Sequence, residues 1–176
     1  MFKYKEASSD LPLSWDLLGD IRQGRPHLGD TMPVVVYRLF QFSLRHYLNS
    51  HYDSHTCSEI FRETGKLAGQ LFCRQSLDKD LDFNGFVALL QQKLKEMGIG
   101  ILIVEAANAD RSKLVFSVAE DLDCAGLPIT EETVCDYDEG FFAGIMEEYT
   151  GKPFDAREVD CWATGGRVCR FQVEEL

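Results

Sequence analysis

The sequence predicts an α+β domain in which a four-stranded antiparallel sheet packs against helices. Three observations lead there. Three stretches before residue 98 repeat apolar residues at helical spacing. The period then shortens to strand-like segments joined by a polar connection. A further helical stretch and two more strand-like segments complete the chain.

Taken in order, residues 1–30 read as an N-terminal arm, with a short helix around 13–19 and a loop over 23–30 marked by Gly24, Pro26 and Gly29. Residues 31–176 read as a single domain. Its first helix is expected over 33–48, with Pro33 suited to a first turn and Val36, Leu39, Phe40, Leu44, Tyr47 and Leu48 recurring on one side. The second is expected over 57–76, because Thr56 and Glu59 have capping-box spacing before the stripe Ile60, Phe61, Thr64, Leu67, Ala68, Leu71 and Phe72. A third, over 84–97, has Asp82 as N-cap, Phe86, Leu90 and Leu94 on its buried side, and Gly98 as its stop.

Residues 100–106 are apolar on both faces, which suits a central strand. Residues 113–119 alternate Leu114, Phe116 and Val118 with other positions, and Asn108 to Ser112 make the connection an antiparallel hairpin. A loop with Gly126 and Pro128 follows over 121–133. The last helix is expected from Asp136, with Glu139 at capping-box spacing, an apolar face of Phe141, Phe142, Ile145, Met146 and Tyr149, and a stop at Gly151-Lys152-Pro153. Strands over 154–162 and 167–173 flank Thr164-Gly165-Gly166.

Bulk composition narrows the function. The formal net charge of −11 repels phosphate backbones and anionic lipid surfaces, which argues against direct nucleic-acid or membrane-surface binding. The N-terminal MFKYKEASSD lacks the apolar core of a signal peptide, and no stretch approaches the ~20 apolar residues of a membrane span. A cytoplasmic location is the expectation, and there the six cysteines stay reduced. Cys57 and Cys73 fall in a helical pattern and read as buried thiols.

The final hairpin carries the chemistry. With Thr164-Gly165-Gly166 as a three-residue loop, Cys161 opposes Cys169, and directly opposed strand residues hold their β-carbons ~4.5–5.5 Å apart. Two thiolates so placed can converge on one tetrahedral ion. Cys135 stands at the start of the last helix, where free amides and the helix dipole favour a thiolate. Glu158 can join them if a bulge or strand end separates it from Cys161, since on a flat strand the two would face opposite ways. Cys135, Glu158, Cys161 and Cys169 together leave no open coordination position, so the ion, Zn²⁺, would be structural. Arg157, Arg167 and Arg170 are the neighbours available to offset the excess negative charge. Spacing alone also admits three free cysteines beside a surface Glu, or a disulfide between Cys161 and Cys169.

From Gly126 to Val173 the sequence resembles the 4-vinyl reductase domain family. The resemblance rests on Cys135, on Gly140-Phe141-Phe142-Ala143-Gly144, on Glu158-Val159-Asp160-Cys161, on Gly165-Gly166 and on Cys169-Arg170-Phe171. The interval Cys-x22-Glu-x2-Cys-x7-Cys is similar to the zinc site of the phenol-sensing domains of that family. The resemblance implies the α+β fold of the small TRAPP vesicle-tethering subunits, binding of small molecules or hydrocarbons, a tendency to form homodimers, and zinc as a fold staple.

A ligand pocket is expected between the helix faces and the sheet, walled by Phe40, Phe61, Phe72, Phe86, Phe116, Phe142 and Trp162, with Tyr37, Arg38 and His46 as polar residues nearby. For each aromatic residue, plain core packing is the competing role. Gly140 and Gly144 suit tight helix packing or the approach of a flat ligand. The reading favoured is a zinc-containing sensor or carrier for an apolar or aromatic molecule. One alternative is an accessory or catalytic component of tetrapyrrole vinyl reduction. No GxGxxG after a strand and no CxxC cluster run supplies an electron source, so the enzyme question stays open with the balance toward a binding module. The other alternative is a dimeric assembly subunit.

Overall fold

The structure is a computed structural model and describes residues 13–176. The first twelve residues, which include most of the stretch read for a signal peptide and part of the expected arm, lie outside the described residues. The chain forms two compact units, Met1–Thr31 and Met32–Leu176. In the first, a 3₁₀ turn over Trp15–Leu18 ends at Gly19, and a short helix α1 (Ile21–Gly24) starts at Asp20, whose side chain accepts the Gln23 amide. Part of the loop expected over 23–30 is therefore helical.

The second unit holds α2 (Val34–His51), α3 (Ser54–Ser76), α4 (Phe83–Glu96), β1 (Ile101–Ala107), β2 (Lys113–Ala119), α5 (Asp136–Thr150), β3 (Phe154–Asp160) and β4 (Cys169–Glu175). The four strands form one antiparallel sheet in the order β1-β2-β4-β3. The α+β class and the four-stranded antiparallel sheet are as the sequence predicts.

Register decides which residues face the helices. Leu114 pairs with Val173, Phe116 with Phe171 and Val118 with Cys169, and all six are buried. On β3, Ala156 pairs with Val173 and Glu158 with Phe171, so Glu158 shares this inner face. Helix α5 covers it. Phe142 packs against Phe116 and Phe171, with ring centroids 5.5 and 5.1 Å apart, while the adjacent Phe141 reaches Phe72 of α3 at 5.3 Å. Every residue from Asp138 to Met146 is buried, as expected of a helix enclosed on opposite sides by α3 and the sheet.

The α3–α5 contact is set by four glycines. A Cβ on Gly65 or Gly69 would lie 2.0 or 2.1 Å from the carbonyl oxygens of Tyr137 and Phe141. A Cβ on Gly140 or Gly144 would meet the Arg62 and Lys66 carbonyls at 1.9 and 2.2 Å. Of the two roles open to Gly140 and Gly144, the backbones thus meet by helix packing.

Several local expectations are corrected. The apolar run of β1 forms an edge strand, not a central one, and Ile101 and Ile103 stay exposed. A continuous apolar run does not distinguish a doubly covered strand from an edge strand with one open apolar face. Helix α3 starts at Ser54, because the Asp53 side chain accepts the Thr56 amide at 2.9 Å; Thr56 is no cap, and His51 and His55 lie in helices rather than a loop. At α5 no capping box forms. Glu139 instead bonds to Arg62 and accepts the Glu158 amide at 2.7 Å. Finally, β3 ends at Asp160 and a 3₁₀ turn over Trp162–Thr164 follows, so Cys161 is not paired with Cys169 in the sheet. Cys169 pairs with Val118.

Candidate metal centre and the adjoining cavity

Four segments deliver one thiol each. Cys169 opens β4 on the inner face of the sheet. Cys161 heads the Trp162–Thr164 turn, where its amide donates to Thr164 Oγ1 at 3.2 Å and its carbonyl accepts from Gly166 at 2.9 Å. Gly166 is needed there, since a Cβ would lie 2.8 Å from the Cys161 carbonyl oxygen. Cys135 is the N-cap residue of α5. Cys124 comes from the loop between β2 and α5, where Asp121 Oδ1 accepts the amides of Asp123 at 2.8 Å and Cys124 at 3.2 Å. The residues that sequence reasoning joined, Cys135, Cys161 and Cys169, do meet. Cys124 was missed.

All four thiols are buried, and their sulfur atoms lie within 4.8 Å of one another. The Cys135 sulfur is 3.9 Å from that of Cys161 and 3.7 Å from that of Cys169. A tetrahedral zinc–thiolate centre with bonds of ~2.3 Å has sulfur–sulfur edges of ~3.8 Å. Cys124 and Cys169 stand closer, at 2.9 Å. This donor set fits one thiophilic divalent cation.

Glu158 lies beside the cluster. A register shift between Glu158 and Asp160 supplies the irregularity that its position required. Its Oε2 accepts the Cys135 amide at 3.2 Å, while Oε1 is buried without a hydrogen-bond partner. Arg157 and Arg170, expected to offset the charge of the site, pair with other acids: Arg157 with Asp155 and Glu139, Arg170 with Glu105 and Asp160.

The electrostatics follow from packing acids together out of water. Hydrogen bonds from Cys124, Cys135 and Cys169 hold the Cys161 thiol far below the usual range, and the same contacts push Cys135 up. Burial, then the neighbouring Cys161, raises Glu158 to about 8. Burial, then Asp123, raises Asp121 to about 7 and lifts Asp138 well above the carboxylate range. A bound cation reverses this ordering, because its field favours the ionised form of each neighbour. Cys57 and Cys73 are separate buried thiols, Cys73 raised to about 11 chiefly by desolvation, which leaves them unreactive.

Helix α2 fastens the loop that carries Cys124 and Cys135. Arg38 donates to the carbonyls of Leu122, Asp121 and Ala125. Tyr37 and Gln41 donate to the two oxygens of Asp123 at 2.8 and 2.5 Å. Arg45 reaches Asp136 at 2.7 Å and the Val134 carbonyl at 3.0 Å, and its guanidinium lies 4.2 Å from the Phe61 ring centroid.

Next to these anchors lies a cavity of about 220 Å³ lined by Tyr37, Phe40, Gln41, Leu44, Ile60, Phe61, Thr64 and Tyr137. Its wall is apolar apart from a few side-chain groups, and Gln41 Oε1 is buried without a partner. Of the aromatic residues expected to wall a pocket, Phe40 and Phe61 line this cavity. Phe72, Phe86, Phe116 and Phe142 are packed into the core, and Trp162 donates its indole N–H to the Leu127 carbonyl elsewhere. Tyr37 serves both cavity and anchor, whereas Arg38 is committed to the loop and His46 is exposed.

Fold and site thus define an α+β domain with a buried thiol cluster beside an apolar cavity. Residues 114–175 match the model of the 4-vinyl reductase domain, and this part of the chain is a domain of that family. An uncharacterized protein of Methanocaldococcus jannaschii is 27% identical over 147 residues, covering 83% of this chain and 80% of the relative. A second from the same organism is 35% identical over 85 residues, covering 48% of this chain and 44% of its own length. Three solved structures share the fold. A vinyl-4-reductase family protein from M. jannaschii has a TM-score of 0.60 at 20% identity, covering 92% of this chain and 93% of that one. The phenol-responsive sensory domain of the transcription activator PoxR, solved with phenol, has 0.63 at 15%, covering 84% and 76%. A trafficking protein particle complex subunit 3 from Naegleria fowleri, covalently bound to palmitic acid, has 0.64 at 13%, covering 81% and 95%.

Proposed function

We propose that this chain is a small-molecule-binding domain of the sensor type, which takes a small apolar or aromatic ligand and is stapled by one structural zinc ion at the cysteine cluster. The observation that carries the reading is the cavity between α2, α3 and α5, apolar in its walls and provided with an unpartnered acceptor at Gln41. A ring bearing one hydroxyl, or a short hydrocarbon chain, matches that lining. The phenol held by the PoxR domain and the palmitate attached to the Naegleria subunit, at a shared fold, make phenol and a fatty acid the first compounds to try. Closed coordination by buried thiols assigns the zinc to structure rather than hydrolysis. A reducing, cytoplasmic setting keeps those thiols available to the metal. Among the described residues, no helix is long and apolar enough to cross a membrane.

The test is isothermal titration calorimetry of the zinc-loaded protein with phenol and with a medium-chain fatty acid. Saturable binding of either, with a negative heat-capacity change, supports the reading. Absence of binding by both counts against it.

A second copy of this chain is the proposed partner. Val35 and Leu39 of α2 are 69% and 71% exposed, and Tyr47 extends the same apolar strip. Light scattering is expected to give a dimer mass for the wild type and a monomer mass for Leu39→Glu.

A further inference from the structure

We propose that Cys124 is the fourth ligand of the metal centre, so that Cys124, Cys135, Cys161 and Cys169 bind one divalent cation through sulfur alone, with Glu158 outside the coordination shell. The inference rests on the metal reading above and changes which residues carry it. Three ligands are common to both assignments, and the choice is between a thiol from the β2–α5 loop and a carboxylate from β3.

Geometry favours the thiol. The four sulfurs form a mutually close, fully buried set, and no carboxylate oxygen of Glu158 belongs to it. Cys124 is held in place by the Asp121 turn, and the carbonyls around that turn are in turn held by Arg38. Its sulfur already touches that of Cys169 at 2.9 Å, so opening this one pair to the ~3.8 Å edge of a zinc–thiolate tetrahedron completes the arrangement that the other two measured pairs approach. Glu158 already has a task that a ligand neighbour commonly performs: its Oε2 accepts the Cys135 amide and thereby fixes the chain entering α5.

The chemistry separates the alternatives. On binding M²⁺, protonated thiols of the set lose their S–H protons to solvent, and four M–S bonds form with no change of oxidation state. An all-thiolate set is softer than one with three thiolates and a carboxylate, and prefers Zn²⁺, Cd²⁺ or Co²⁺ over Mg²⁺ or Ca²⁺ more strongly.

The experiment is cobalt substitution of the full chain, read by absorption spectroscopy. The wild type, Cys124→Ser and Glu158→Gln are loaded with Co²⁺ and compared. The expected result is that Cys124→Ser loses about a quarter of the near-ultraviolet sulfur-to-cobalt charge-transfer intensity, as one of four thiolates is removed. Its visible bands should also move to shorter wavelength. Glu158→Gln is expected to keep both features. A spectrum altered by Glu158→Gln and unaffected by Cys124→Ser overturns the assignment while leaving the metal reading intact. Failure of the wild type to take up Co²⁺ or Zn²⁺ overturns both. Should a variant not fold, zinc-edge X-ray absorption of the wild type decides the matter alone. A single sulfur shell near ~2.3 Å supports the four-thiolate set, whereas an added oxygen shell near ~2.0 Å refutes it.

Discussion

The sulfur atoms of Cys124 and Cys169 lie 2.9 Å apart although 45 positions separate the residues in sequence. That contact joins the β2–α5 loop to the first residue of β4. With Cys135 and Cys161 it ties the loop, the start of α5, the Trp162 turn and the sheet together at one buried point. The cavity beside it is bounded by α2, α3 and α5, and α2 is attached to the same loop through Tyr37, Arg38, Gln41 and Arg45. Four consequences can be measured.

Filling the cavity should abolish binding without unfolding the protein. Ile60 lines it and is only partly buried, so Ile60→Trp adds volume on the cavity side. The expected outcome is a loss of phenol or fatty-acid affinity of about tenfold or more, equivalent to ~1.4 kcal/mol, with the circular dichroism spectrum retained. Unchanged affinity would place the ligand elsewhere.

Close approach of α3 and α5 should be intolerant of a single methyl group. In Gly69→Ala the new Cβ would sit 2.1 Å from the Phe141 carbonyl oxygen, a backbone atom that cannot move without shifting the helix. Denaturant unfolding is expected to show a loss of about 3 kcal/mol. Gly24→Ala, with nothing within 4 Å of the added atom, is the control and should show no comparable loss.

Arg45 should be required for the loop that delivers Cys124 and Cys135. It bonds Asp136 and the Val134 carbonyl from a mostly buried position and lies over Phe61. Arg45→Ala leaves Asp136 with only the longer contact to Arg62 at 3.6 Å, and a loss of about 2–3 kcal/mol is expected. Arg45→Lys should recover only part of it, because an ammonium cannot reproduce the two-pronged planar contact. Full recovery by Lys in the same unfolding measurement would reduce the role to bare charge.

Glu148 gives a pH signature remote from the metal. It accepts from Lys79 at 2.6 Å and Arg74 at 2.8 Å, and the Lys79 hydrogen bond is the leading reason its carboxyl lies below the ordinary 4.5. The associated stability is fully present above 4.5 and is lost as pH falls through the lowered folded value. Glu148→Gln should therefore cost about 0.5–1 kcal/mol at pH 7. The gap from wild type should close as the solution is acidified below 4.5. A gap independent of pH would show that the charge is not responsible.

Much of this architecture was legible in the sequence because it rests on periodicity. The stripe from Ile60 to Phe72 and the alternation Leu114, Phe116, Val118 each report one buried face, and the faces meet as expected. What escaped depends on contacts distant in sequence. Cys124 lies in an irregular loop with no period, and the sole local sign was a fourth cysteine eleven residues before Cys135, close to Gly126 and Pro128. Gln41 looks like an ordinary polar helix residue until Asp123 is folded against it. The edge position of β1 is a property of strand order, which its own seven residues do not encode. Cys161 and Cys169 meet for a different reason from the one expected: a 3₁₀ turn, rather than cross-strand pairing, returns Cys161 to the cluster.

Native mass spectrometry of freshly purified, full-length protein tests the central claim most directly. The expected spectrum has one dominant species heavier than the chain by a single zinc ion less the protons displaced from its thiols, and removal of that ion by a chelator should lower the thermal midpoint sharply. A dominant species at the mass of the metal-free chain, with thermal stability indifferent to chelator, would contradict it.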